Sequence, residues 1–169
     1  MMLRKLELKD APLMLEWMHD TEIIRNLQTN FTSKILDDCV AFIEQSQDTT
    51  KEMHLAIVDE TDEYMGTVSL KHITKNDAEF AITIRKKAMG KNLSKKGMVE
   101  ILRIGLEELG LNKIYWCVNE INIRAVRFYD KNNYQRIDIK NSELINSVRY
   151  SGSYTDQQID EYIWYEVHK

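Results

Sequence analysis

The chain has 169 residues, 43% of them hydrophobic and 30% charged, with one proline, six glycines and a formal net charge of -4. That length suits one domain burying roughly 70% of its unfolded surface, and the composition excludes a disordered or collagen-like chain. No apolar run approaches the ~20 residues of a membrane helix, MMLRKLELKD lacks a secretion signal's apolar stretch, and net acidity disfavours generic nucleic-acid binding.

The predicted elements follow in chain order. LRKLELK (3–9) alternates as a first strand. Asp10 is placed to cap a helix, with Pro12 in its first turn, where a missing N–H does little harm. That helix carries Leu13, Met14, Trp17 and Met18 on one side. Ser33 is the expected cap of a second helix with Leu36, Val40 and Ile43 as its apolar stripe. MHLAIVD (53–59) and YMGTVSLK (64–71), joined by the polar turn ETDE, form a hairpin, and AEFAITI (78–84) is a third strand. From Met98, the spacing of Ile101, Leu102, Gly105, Leu106 and Leu109 marks one helix face, ended by Gly110. KIYWCVN (113–119) is a strand. Residues 122–133 form a short helix, with Asn122 as N-cap and Asn133 as its left-handed terminator. YSGSY (150–154) is a turn and DEYIWYEV (160–167) a last strand. Strands followed by β-α-β-α-β give a mixed α/β or α+β sheet with helices packed on it. Cys39 and Cys117 have no C-x-x-C partner and fit reduced packing residues of a cytoplasmic protein.

Chemistry concentrates where strand 78–84 hands over to a helix. Six of the twelve residues from Arg85 to Lys96 are basic. A glycine-bearing loop at a helix N-terminus gathers free N–H groups and the positive end of the helix dipole, which makes a ready anion site. Gly90 lets the main chain come close to a phosphate. Neither a Walker A motif nor G-x-G-x-x-G is present, and a plain solvated cationic turn fits the same residues. The four histidines, at 19, 54, 72 and 168, show no metal-ligand spacing. By periodicity alone Tyr129 packs in the core beside Ala125 and Val126, Trp17 is a core residue, and Glu79 is an exposed strand-end carboxylate.

Three landmarks occur in order: Lys87-Ala88-Met89-Gly90-Lys91-Asn92, Asn122 opening the next helix, and Tyr129 followed by Lys131-Asn132-Asn133-Tyr134. Together they resemble the GNAT superfamily of acyl-CoA-dependent N-acetyltransferases, nearest in style to its ribosomal-protein N-terminal and spermidine acetyltransferases. The similarity is dense from 78 to 137. The first landmark matches the family's [QR]-x-x-G-x-[GA], with Lys for the first residue and Asn92 for the last. Asn133 likewise replaces a glycine, and asparagine tolerates positive φ best among the other residues.

The resemblance implies a mixed, mostly antiparallel sheet with a splayed central strand pair and helices on both faces. It implies acetyl-CoA as co-substrate and no metal. The pantetheine arm would lie between 78–84 and 113–119, against the backbone of Ile82, Thr83 and Ile84. The pyrophosphate would rest on Lys87, Met89, Gly90, Lys91, Asn92, Leu93 and Ser94, with Asn122 also touching the cofactor. Tyr129 would be the general acid protonating the departing thiolate, and Glu79 a base working through water. Trp17 and its neighbours would border the acceptor pocket. The acceptor would be a primary amine: a protein N-terminus, a polyamine or a nucleotide-linked amino sugar. Homodimers are common in such proteins. A catalytically idle acyl-CoA-binding module is the alternative from another class.

Overall fold

The computed structural model describes residues 2–27 and 29–169. Its strands are β1 (Leu3–Lys5), β2 (Met53–Val58), β3 (Tyr64–Lys71), β4 (Asp77–Ile84), β5 (Lys113–Val118), β6 (Gln135–Ile137) and β7 (Ile163–His168). They form one sheet in the order β1-β2-β3-β4-β5-β7-β6. Neighbours run antiparallel except β4 and β5, which are parallel. That pair is joined only at Asp77–Lys113, Ala78–Ile114 and Glu79–Tyr115. Both strands run on beyond Glu79 and Tyr115 without pairing, so the sheet's centre is splayed.

The helices are α1 (Ala11–Met18), α2 (Thr21–Ile24), α3 (Leu36–Gln45), α4 (Leu93–Arg103), α5 (Ile123–Lys131), α6 (Leu144–Ser151) and α7 (Asp156–Glu161). Strand alternation sorts them onto two faces. Ile57, Val68, Phe80, Ile114 and Trp116 point to one face, where they pack with Met98 and Ile101 of α4 and Tyr129 of α5. On the other face, Ala56, Val58 and Tyr64 meet α1 and α3, while Tyr115 and Trp164 meet α6 and α7. Between these two outer clusters run the buried polar side chains of Thr67, Ser69 and Glu79.

Several boundaries differ from the sequence expectations. The first strand stops at Lys5, where its pairing with β2 ends. Asp10 sits at the N-cap of α1 but does not cap it with its side chain: its buried carboxylate takes a two-pronged bond from Arg4, at 2.8 and 2.9 Å, and accepts from the Glu7 N–H. Ser33 does not cap α3. The helix starts at Leu36, and the Asp38 carboxylate accepts the Ile35 N–H at 2.9 Å. Buried Cys39 and Ile43 anchor α3, whereas Leu36 is 44% exposed. The last strand begins at Ile163, since residues 160 and 161 end α7. Of the turn expected at 150–154, Tyr150 and Ser151 end α6 and the chain turns only from Gly152, at φ 67°. No helix among the described residues is long and apolar enough to cross a membrane.

Candidate active site

The cationic loop divides into two groups. Arg85 is buried and binds Glu16 at 2.9 and 3.1 Å, Glu63 at 2.7 Å and the Tyr64 carbonyl at 2.8 Å. Lys86 pairs with Glu22 at 3.0 Å and Lys87 with Glu63 at 2.8 Å. These three cations staple the loop to α1, α2 and the β2–β3 turn. Among the described residues no carboxylate pairs with Lys91, Lys95 or Lys96. Uncompensated positive charge therefore lies past Gly90, at the start of α4.

The backbone there gathers N–H groups left outside the helix ladder. Gly90 has φ 77° and Asn92 φ 61°, left-handed values that turn the chain sharply into α4. A Cβ on Gly90 would meet nothing within 4 Å, so glycine answers to conformation and not to crowding by the protein. The α4 ladder opens with Lys96 N–H bonding the Asn92 carbonyl at 3.3 Å. The N–H groups of Leu93, Ser94 and Lys95 precede it and have no place in that ladder. An isolated helix of this length is marginal in water. Packing of the fully buried Met98 and Ile101 holds α4, and with it the loop, in place.

The splay supplies a second set of backbone groups. Arg85 N–H bonds the Met65 carbonyl at 2.8 Å, and the β3–β4 register is unbroken from Gly66–Ile84 to Lys71–Glu79. Hydrogen-bonded pairs alternate along an antiparallel ladder, so Thr83, Ala81 and Glu79 bond toward β3. The polar groups of Ile82 and Ile84 then point the other way, into the gap left by β5. Gly66 permits this close pairing, since a Cβ there would sit 2.5 Å from the Thr83 carbonyl.

A cavity of about 770 Å³ joins the loop and the splay. Of the residues expected to hold a cofactor, Ile82, Thr83, Ile84, Met89, Gly90, Asn92, Ser94 and Asn122 line it, as does Tyr129. Lys87, Lys91, Leu93 and Glu79 are not among its walls. Asn122 caps α5 by accepting the Ala125 N–H at 3.3 Å. The Tyr129 ring is buried against Trp116, Tyr165 and Phe128, and burial raises its pKa far above that of a free phenol. Among the described residues no protein group hydrogen-bonds its hydroxyl, which is left available to the cavity. Trp17 is buried and donates to Tyr64 Oη at 3.0 Å.

Sequence reasoning did not single out Arg124 or the α2 segment. Arg124 reaches across the cavity mouth, its Nη1 2.8 Å from Met89 Sδ. It lies on α5 one turn before Phe128, and no local pattern in the sequence marked it. Glu22, Ile23, Arg25, Asn26 and Leu27 form the far wall. The short α2, capped by Asp20 accepting the Glu22 N–H at 3.0 Å, leaves too few residues for a readable period.

Glu79 lies on the other face, one residue before the strands part. It is 2% exposed. Its Oε1 accepts the Tyr154 phenol in a short bond, while its buried Oε2 has no hydrogen-bond partner among the described residues.

The acetyltransferase (GNAT) domain model matches residues 1–135. An uncharacterized N-acetyltransferase, p20, of Bacillus licheniformis is 26% identical over 139 residues, covering 79% of this chain and 78% of that one. A spermidine N-acetyltransferase from Vibrio cholerae, solved with CoA and spermine, superposes with a TM-score of 0.71 at 23% identity, covering 80% of each chain. The Campylobacter jejuni N-acetyltransferase PseH, solved with acetyl coenzyme A, gives 0.65 at 14% identity over 99% of each. A family match over most of the length, on a sheet splayed at its centre, decides the assignment: the chain belongs to the GNAT acetyltransferase family and is an acyl-CoA-dependent acetyltransferase.

Proposed function

We propose that the protein transfers acetyl from acetyl-CoA to the primary amine of a small cationic acceptor, a polyamine before a protein N-terminus or an amino sugar. The observation that carries this reading is the juxtaposition of Ile82, Ile84 and Tyr129 on the walls of one cavity whose other end is the Gly90 loop. In it the diphosphate rests on the N–H groups from Gly90 to Lys95, with Lys95 and Arg124 adding charge. The pantetheine arm follows the gap beside β4. The N–H groups of Ile82 and Ile84 polarise the thioester carbonyl, at little reorganisation cost because the ladder already fixes them. A neutral amine attacks, and Tyr129, kept protonated by burial, donates to the departing thiolate.

The amine arrives from the opposite face, along the polar seam of Thr67, Ser69 and Glu79, where a carboxylate suits a cation. Glu79 is the proton acceptor for that amine. Support for a polyamine comes from the Vibrio cholerae relative with spermine and from the acidic balance of the chain, which favours cationic ligands. The test is thiol release from acetyl-CoA across spermine, spermidine, N-terminal peptides and a nucleotide-linked amino sugar. Polyamines are expected to give the highest kcat/KM. Turnover confined to peptides or sugars removes the polyamine reading. CoA binding without turnover on any amine favours an idle binding module.

A further inference from the structure

Acetylation of an ammonium acceptor leaves a proton to be exported. R–NH3+ and acetyl-CoA give the amide, the CoA thiol and one proton. The C–N bond forms and the C–S bond breaks. Of the two protons that nitrogen loses, one is balanced by the proton Tyr129 gives to sulfur, and the other must reach bulk water. Glu79 is 2% exposed, so it cannot hand that proton to solvent directly.

The polar seam continues beyond Glu79. His72 follows β3 with a backbone φ of 51°, and its ring lies beside the start of β4. Its Nε2 lies 3.7 Å from Glu79 Oε2, the oxygen without a hydrogen bond, and 3.2 Å from the Ser153 hydroxyl. Its Nδ1 lies 3.9 Å from Glu52 Oε1. The Glu52 side chain is 44% exposed, and the His72 side chain 29%. Glu52 also binds His54 Nε2 at 3.1 Å, which keeps the carboxylate at this spot. The other titratable groups facing this path are Lys71, next to His72 in sequence, Tyr154, whose phenol donates to the far oxygen of Glu79, and Tyr115 and Cys117 of β5, both kept protonated by burial beside Glu79. A buried carboxylate oxygen without a donor is costly, and a histidine held at positive φ is uncommon. Here both meet at one point.

We infer that His72 is a proton-exit residue, carrying to Glu52 and bulk water the proton that Glu79 takes from the acceptor. The inference rests on the role proposed above for Glu79. Imidazole suits the step because it gains a proton at one nitrogen and releases one from the other. His72 is not among the walls of the cavity proposed for the cofactor.

The test uses His72→Asn, which keeps a residue at ease with left-handed backbone and removes the titratable ring. It is assayed with acetyl-CoA and spermidine, or the amine turned over fastest in the panel, in weakly buffered solution. The expected result is a fall of about tenfold in kcat, short of the ~10²–10⁴ associated with a general acid or base itself. KM for acetyl-CoA stays unchanged, and added imidazole restores the rate. Wild-type kcat at low buffer overturns the inference. So does a loss that appears in KM or that imidazole leaves untouched. Glu79→Gln, run alongside, separates the two layers. A defect there with a fully active His72→Asn sinks only the exit path, whereas full activity in both removes Glu79 as the base.

Discussion

Asn92 and Asn133 stand at φ 61° and 62°, the left-handed conformation that glycine adopts most readily. Both turns were legible in the sequence because asparagine is among the few side chains that accept this region. The Asn122 cap was equally readable. Arg124 was not, since a lone arginine on an exposed helix turn carries no signal until the opposite wall, Met89, is placed beside it. Two consequences belong at this scale. Gly90→Val puts a branched side chain at φ 77°, a cost of about 1–3 kcal/mol, and CoA titration is expected to show affinity weakened about tenfold or more. An unchanged Kd would mean that the diphosphate does not rest on this loop. Arg124→Ala is expected to weaken CoA binding while leaving the melting temperature in place, because its one polar partner among the described residues is an exposed sulfur contact. A lower melting temperature with unchanged Kd would contradict this.

The splay depends on how β4 is shared between its neighbours. β3 holds it along its whole length, β5 only at its first three residues. The strands themselves were readable from alternation and β-branched content, but their parting was not. It arises from long-range pairing that no local pattern encodes, and it was expected only through resemblance. Helices α6 and α7 escaped notice because they are short and mostly polar, with buried residues confined to Leu144, Val148 and Ile159. The N-terminal strand was overread because Leu6 and Leu8 alternate with charged residues after pairing has ended at Lys5. Gly66 tests the β3–β4 contact. Gly66→Ala places a Cβ 2.5 Å from the Thr83 carbonyl and 2.9 Å from Ile84 Cα, both rigid backbone. A loss of about 1–3 kcal/mol in urea unfolding is expected, together with a raised KM for acetyl-CoA as β4 shifts. Full stability with unaltered KM would show that the strand pair is looser than described.

At the scale of the whole molecule, the aromatic centre joins the two halves of the sheet. Trp116 stacks on Tyr165 at 5.6 Å, and Tyr129 and Tyr134 close around it. Burial pushes the Tyr165 phenol and the Cys117 thiol up to about 12 and raises Tyr129 as well. Unfolded thiols ionise near ~8.5 and phenols near ~10. Between those values and about 12 the unfolded chain gives up protons that the native one keeps. Stability is therefore intact below pH ~8.5 and falls as pH rises through that window. The urea midpoint is expected to drop between pH 8 and 10.5, and a midpoint that holds or rises would refute the sign. The same aromatic centre seats Tyr129 in the cavity wall, so the account turns on binding and chemistry being separable there. Acetyl-CoA titrated calorimetrically into wild type and Tyr129→Phe, followed by single-turnover thiol release on the same samples, measures both. Equal dissociation constants with transfer slowed ~10²-fold or more in the variant are predicted. No heat in the wild type, or equal transfer rates, would contradict the account.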